Sequence, residues 1–338
     1  MPKRHINIPV FIPHLGCPNM CVFCDQRTIT GTAGADRDGQ LASAERTIEE
    51  CLASAGGAEA EIAFFGGSFT GIDEDLMISL LDLAKGYCGR GGVKGIRMST
   101  RPDYISPHII SVLRDYPVTQ VELGIQSMDD RVLGTCRRGH TAGDTERAVE
   151  LLRGAGFSVG GQMMIGLPGA DPGSERECAR YIAENCASAR IYPTVVFRGT
   201  ELCRMAEKGE YVPLTVEEAV TRSADVLEIL AEKGVECLRI GLCESENLHS
   251  RAYYAGPNHP ALGEMVYSEL YYRIISSLAK ERDFTGDALI TVPERHLSKA
   301  AGLGRSNVRR LTGTTGLKNI KFRGDPEFPP YKVTLERI

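Results

Sequence analysis

Three cysteines fall within eight positions, in the run Gly16-Cys-Pro-Asn-Met-Cys-Val-Phe-Cys24. A thiolate set this dense suits an iron-sulfur cluster or zinc. A closed structural site takes four protein ligands, whereas three leave one metal position open to something else. The spacing Cys17-x3-Cys21-x2-Cys24 therefore reads as the nest of an iron-sulfur cluster with one iron left open for chemistry. Two other readings fit the same residues: a three-cysteine zinc site completed by a distant histidine, and a redox thiol pair.

A reactive loop needs a frame, and the first two hundred residues supply an alternating one. Short apolar runs at Ile6 to Ile12, Glu61 to Phe65, Gly95 to Met98, Gln120 to Ile125, Ser158 to Ile165 and Ala189 to Phe197 read as strands. Between them, Ala44 to Ala53, Glu74 to Tyr87, Pro107 to Leu113, Thr145 to Ala155 and Ser174 to Cys186 carry helical periodicity. Successive β-α units predict a parallel sheet with helices outside, and six of them rather than eight predict a partial α/β barrel. The cysteine loop then follows the first strand, at the C-terminal strand end where barrel enzymes carry their chemistry.

The cysteine spacing, with Phe23 before the third cysteine, resembles the signature of the radical S-adenosylmethionine (SAM) superfamily. That resemblance implies a partial (βα)6 radical SAM barrel. Cys17, Cys21 and Cys24 would hold three irons of a four-iron four-sulfur cluster, and SAM would chelate the fourth. An electron then splits SAM into methionine and a 5'-deoxyadenosyl radical. The expected electron donor is a protein such as flavodoxin or ferredoxin. On the same resemblance Gly66, Gly67 and Ser68 meet the methionyl amino group and Phe23 lies beside the cofactor. Arg101, next to Thr100, can pair with a carboxylate, or can be a surface residue beside the Pro102-Asp103 turn. Gln126 and Ser127 put polar groups at the end of the fourth strand, and Met164 in Gln162 to Pro168 either flanks adenine or packs as core.

Several ordered strings narrow the likeness. Phe-Gly-Gly-Ser-Phe-Thr at 65–70, Thr-Arg-Pro-Asp-Tyr at 100–104, Glu-Leu-Gly-Ile-Gln-Ser at 122–127, Arg-Gly-His-Thr at 138–141, Met-Ile-Gly-Leu-Pro-Gly at 164–169 and Ile-Tyr-Pro-Thr-Val-Val-Phe-Arg-Gly-Thr at 191–200 resemble the radical SAM domain of the Elongator catalytic subunit and its prokaryotic relatives. That family implies a tRNA-modifying transferase working at the wobble uridine with acetyl-CoA as carbon donor. The chain ends at Ile338 with no room for the family's acetyltransferase domain and has no acetyl-CoA pyrophosphate loop, so acetyl-CoA chemistry is not expected to carry over. Arg138 and His140 would line the mouth near substrate, or belong to a helix-capping loop.

Downstream, helical patterns at Thr215 to Gly234 and Gly263 to Lys280 predict a bridging region over 211–283, after a barrel over 1–210. The last segment, 284–338, reads as a small α+β module with the element order of a KH core. Gly302 opens its tight loop, and Arg305 stands where a second glycine is usual. Arg305, Arg309 and Arg310 are candidate phosphate contacts of an RNA-binding loop; the other reading is a packing module that closes the barrel. Formal net charge is −5 over 338 residues, but 284–338 has ten Lys or Arg against five Asp or Glu, net +5, leaving −10 for the rest. This excludes a globally basic nucleic-acid binder, and the basic tail reads either as a polyanion-facing part or as a mildly positive solvated face. His259 and Glu264 are acid-base candidates or parts of a rigid turn, and Cys237 and Cys243 are a thiol donor or auxiliary ligand, or a buried strand pair.

The eleven cysteines, with no long apolar run at the N-terminus, lead us to expect a cytoplasmic, reduced protein with no membrane segment. Cys51, Cys88 and Cys178 fall in helical patterns and read as buried apolar residues. RNA, and tRNA in particular, is the expected partner. The alternatives are a radical SAM enzyme acting on a peptide or small metabolite, and an RNA-binding protein with a structural metal.

Overall fold

A computed structural model of the chain describes residues 5–12, 17, 21–24, 36–242 and 251–338. Its main sheet comprises β1 (His5–Phe11), β2 (Glu59–Phe65), β3 (Val93–Thr100), β4 (Val118–Gln126), β5 (Ser158–Ile165), β6 (Ser188–Pro193) and, beyond the short β7 (Val196–Phe197), β8 (Glu236–Ile240). These pair in the order β1-β2-β3-β4-β5-β6-β8, every pair parallel. The sheet curls into a half-barrel, as the alternation of apolar runs predicts.

The period of two along each strand separates two environments. Ile62 and Phe64 on β2, Ile96 and Met98 on β3, and Val121, Leu123 and Ile125 on β4 form the buried core under the outer helices. Those helices are α1 (Arg37–Ser54), α2 (Glu74–Tyr87), α3 (Pro107–Arg114), α4 (Asp130–Thr135), α5 (Ala142–Gly154), α6 (Pro172–Asn185), α7 (Glu201–Glu207) and α8 (Val216–Glu232). Several start on side-chain caps readable in the sequence, including reciprocal pairs of Thr141 with Asp144 and Thr215 with Glu218.

The intervening strand positions carry Glu61, Arg97, Gln120, Glu122, Ser188 and Arg190 on the inside of the curl. Arg190 forks onto Glu122 at 2.5 and 3.1 Å, and Arg97 bridges Glu61 at 3.3 Å and Glu122 at 3.7 Å. Two guanidiniums thus face two carboxylates, which satisfies charges that could not be buried alone.

The stretch 211–283 is more than a helical bridge, because it contributes β8 as a seventh parallel strand. β8 is five residues long and exposes Glu236, Leu238 and Arg239, so its apolar signal is short and weak. After β9 (Tyr253–Ala255), which pairs antiparallel with β7, comes α9 (Leu262–Glu281). The module beyond it contains β10 (Thr285–Pro293), α10 (Leu297–Ala301), α11 (Ser306–Thr314), β11 (Gly316–Asp325) and β12 (Thr334–Arg337). Its sheet runs β11-β10-β12, with β11 parallel and β12 antiparallel to β10. α9 buries Val266 and Leu270 in the barrel core and Tyr271, Ile275 and Ala279 in the module core. Among the described residues no helix is long and apolar enough to cross a membrane.

Candidate active site at the C-terminal mouth of the sheet

The cysteine turn is built into the mouth by its backbone. Val22 N–H donates to Cys136 O at 3.1 Å, Val22 O accepts from Leu202 N–H at 2.8 Å, and Cys24 N–H donates to Cys21 O at 3.0 Å. Val22 sits in an apolar plug with Val132, Leu167, Leu202 and Tyr211, and Phe23 and Met164 pack against it half-buried. Cys21 is buried and Cys17 and Cys24 are half-buried. Among the described residues no group of three or more His, Cys, Asp or Glu side chains is close enough to hold a metal ion, so the three thiols share one loop without converging.

The surroundings nevertheless suit a thiolate-bound cluster, whose net charge is negative. Arg138 Nη1 lies 3.6 Å from Cys21 Sγ, and at Arg101 the cost of burial is outweighed by Asp103 and then by the Cys21 and Cys17 sulfurs, which favour its charge. Ligand gathering and metal binding are coupled, since each thiol must lose its proton as the metal enters. Burial, then the neighbouring Cys21 sulfur, pushes the Cys136 thiol up to about 12, so it stays protonated beside the turn.

The strand ends contribute hydroxyls, guanidiniums and an imidazole, several of them unsatisfied. Thr100 Oγ1 lies 2.8 Å from Ser68 Oγ and 2.7 Å from Thr70 Oγ1, and Ser68 Oγ accepts from Arg101 N–H at 3.1 Å. The Ser68 and Thr100 hydroxyls thus hold one another in place at the mouth. Gly66 takes φ 111°, and a Cβ there would meet Ile12 O at 2.8 Å, so its close approach is to the residue that follows β1. Gly67 beside it is half-buried. Arg101 is 2% exposed and forks onto Asp103 at 2.9 and 2.8 Å. Arg101 Nη1, Gln126 Oε1, Arg138 Nε and His140 Nδ1 are all buried without a partner among the described residues.

Backbone geometry holds this group in place. Gln126, the last residue of β4, takes φ 67°. Arg138 follows α4 between Arg137 at φ 51° and Gly139 at φ 82°. His140 Nε2 donates to Ile125 O at 3.2 Å, which leaves Nδ1 of the neutral ring as an acceptor. Burial, followed by the Arg138 charge, lowers the imidazole to about 4. His140 is therefore neutral at neutral pH.

Other expected residues lie away from this group. His259 is exposed, and its Nδ1 accepts from Ala261 N–H at 3.1 Å, which is turn chemistry. Glu264 is 4.0 Å from Lys299. Cys237 is buried on β8, and Cys243 lies outside the described residues. Gly302 is buried at φ 79°, where a Cβ would run into Ser306. Arg305 takes the left-handed conformation at φ 60°, so its position does require glycine-like backbone. Arg309 donates to Gly304 O at 2.7 Å and Arg310 pairs with Glu269 at 2.8 Å, so the three arginines do not converge. Sequence reasoning passed over the charged interior of the curl. Its signal was present: Arg97, Glu122 and Arg190 each place a charge between two apolar neighbours at the inward register.

Comparison with known proteins places this architecture. Residues 11–182 match the family model of the Radical SAM superfamily, and residues 186–272 match that of the radical SAM C-terminal domain. A tRNA uridine(34) acetyltransferase of Methanocaldococcus jannaschii is 34% identical over 174 residues, 50% of this chain and 31% of that protein. The chain thus spans about a third of the length of that curated relative. An uncharacterised protein of the same organism is 28% identical over 245 residues, 68% of this chain and 73% of its own length. Among solved structures, the Elp3 of Methanocaldococcus infernus superposes with a TM-score of 0.64 at 21% identity, covering 87% of this chain and 70% of the other. The superfamily model spans about half of the chain, from the end of β1 through the cysteine loop to α6, and the chain belongs to the radical SAM superfamily, enzymes that use a four-iron four-sulfur cluster and SAM.

Proposed function

We propose that this chain is a radical SAM enzyme that modifies tRNA, with Cys17, Cys21 and Cys24 as the three protein ligands of its cluster. The observation that carries the reading is the position of the cysteine turn. It is bonded to Cys136 and Leu202 at the C-terminal mouth of a parallel sheet, beside four buried polar atoms with no partner among the described residues. Bound there, the cluster and SAM supply a 5'-deoxyadenosyl radical.

The chain's own residues bind and enclose. Arg101 keeps Nη1 free for a carboxylate while Asp103 fixes the plane of its guanidinium, and Gln126 Oε1 offers an acceptor to an amino group. The main chain at Gly66 and Gly67 lies at the same mouth, one strand from the cysteine loop. Val22, Phe23, Leu167 and Met164 form an apolar wall that excludes water, which protects a reactive species from quenching. Neutral His140 presents Nδ1 as an acceptor without adding positive charge.

The tRNA half of the reading draws on the relatives' uridine-modifying activity and on the basic module, where Arg305, Lys318, Lys321 and Arg323 are exposed. An electron donor of the flavodoxin or ferredoxin class belongs to the same proposal. Two experiments test it. Anaerobically reconstituted protein should cleave SAM under dithionite; a C17A/C21A/C24A protein that still makes 5'-deoxyadenosine overturns the ligand assignment. Mass spectrometry of tRNA nucleosides from a strain without the gene should show one modified nucleoside lost and then restored by the intact gene, and an unchanged profile overturns the substrate.

A further inference from the structure

Two arginines are buried at the mouth, and their charges are answered differently. Arg101 forks onto Asp103 at 2.9 and 2.8 Å. Arg138 has no carboxylate partner among the described residues. Its Nη2 donates to Gly124 O at 2.9 Å, and its Nη1 points at Cys21 Sγ, 3.6 Å away, a normal reach for a sulfur acceptor.

The site around Arg138 is built to hold that contact. Arg138 N–H donates to Leu133 O at 2.9 Å, and the same loop receives the cysteine turn through Val22 N–H to Cys136 O at 3.1 Å. Arg137 adopts φ 51°, a conformation an L-residue takes only under steric strain, so surrounding contacts enforce the bend. On the far side Gly124 leaves room for the guanidinium, since a Cβ there would stand 2.7 Å from Arg138 Nη2.

We propose that Arg138 tunes the electron affinity of the cluster, holding a permanent cation against the sulfur of Cys21 and so raising the midpoint potential. The inference rests on the assignment of Cys21 as a cluster ligand. Reduction adds one electron from a one-electron donor, makes and breaks no bond, and leaves the centre one unit more negative. A guanidinium does not lose its proton in a protein, so its charge is present in both oxidation states and favours the reduced one. Hydrogen bonds to the ligating sulfurs and net local charge are established determinants of iron-sulfur potentials.

The test is an anaerobic redox titration of the full-length reconstituted protein without SAM, followed by electron paramagnetic resonance and poised with dithionite and mediators. R138Q should lower the midpoint potential relative to wild type at equal iron and sulfide content. R138K, which keeps the charge but cannot reach Gly124 O and Cys21 Sγ together, should fall between them. G124A should shift in the same direction while retaining Arg138, because the new methyl group displaces the guanidinium. R138Q with a full cluster at the wild-type potential overturns the inference and leaves the ligand assignment standing. Wild-type protein that takes up no cluster overturns both. If R138Q does not load, wild-type potentials in R138K and G124A overturn the role of Arg138.

Discussion

At the end of β3 one hydroxyl holds the loop that follows β2. Thr100 Oγ1 lies within hydrogen-bond reach of both Ser68 and Thr70, and Ser68 in turn receives the Arg101 amide. All four residues are buried, so each lost bond leaves an unsatisfied group and costs about 1–3 kcal/mol. Thr100→Val keeps the shape and removes the hydroxyl; we expect a lower thermal midpoint, weaker SAM binding by isothermal titration, and recovery of both in Thr100→Ser. Thr100→Val with wild-type SAM affinity and stability rules the hub out. The sequence already located Ser68, Thr100 and Arg101 at one strand-end mouth, because strand ends follow from periodicity. It did not reveal that they bond to one another and to Asp103, since that depends on the stagger of β2 against β3. The close spacing of Cys17, Cys21 and Cys24 stands out in the sequence, whereas Arg138 comes beside Cys21 only once the segment after α4 folds back over the cysteine turn.

Between α10 and α11 the chain makes a tight turn in which Gly304 at φ 55° is followed by Arg305 at φ 60°. Glycine takes this conformation without steric penalty, while an arginine there bears a strain of about 1 kcal/mol. Strain retained at an exposed, basic loop tip is consistent with a side chain kept for contact rather than for stability. Arg305→Gly should therefore raise the thermal midpoint of the protein while weakening salt-sensitive binding of bulk tRNA. A variant that is more stable and binds tRNA as wild type removes Arg305 from the interface. Removing the whole module is a poorer test, because it would strip Tyr271, Ile275 and Ala279 of α9 of their core. At this scale the six β-α units were readable from alternation. β8 was not, because an edge strand of five residues with exposed Leu238 and Arg239 lacks a continuous apolar run.

The two cores are joined through α9 and a cluster of rings beside it. Tyr271 Oη lies 2.7 Å from His296 Nδ1, and Tyr267 and Tyr331 flank the same imidazole at centroid distances of 5.4 and 5.8 Å. Lys299 Nζ sits 3.9 Å above the Tyr267 ring, and Tyr267 donates to Cys237 O on β8 at 3.1 Å, which ties the cluster to the barrel. Burial, then the charges of Lys299 and Arg295, lowers the His296 imidazole from 6.5 to about 4. The folded protein therefore binds fewer protons than the unfolded chain in this range, and stability falls as pH falls. The His296 contribution is complete above about pH 6.5 and is lost as pH drops toward 4, on the order of 3 kcal/mol at most. Protonation also makes donors of both ring nitrogens beside the Tyr271 hydroxyl and places a cation next to Lys299. Urea unfolding at a series of pH values should show the midpoint declining over this window, with hydrogen exchange accelerating first in β10 and β12. His296→Gln keeps an acceptor and cannot titrate, so its acid limb should be shallower; His140, lowered in the same way, and the carboxyls of Asp129, Asp144, Asp171 and Asp287, held low by hydrogen bonds, remain in both proteins and supply the residual slope. An unchanged acid limb in His296→Gln would show that the junction between barrel and module does not sense pH through this ring.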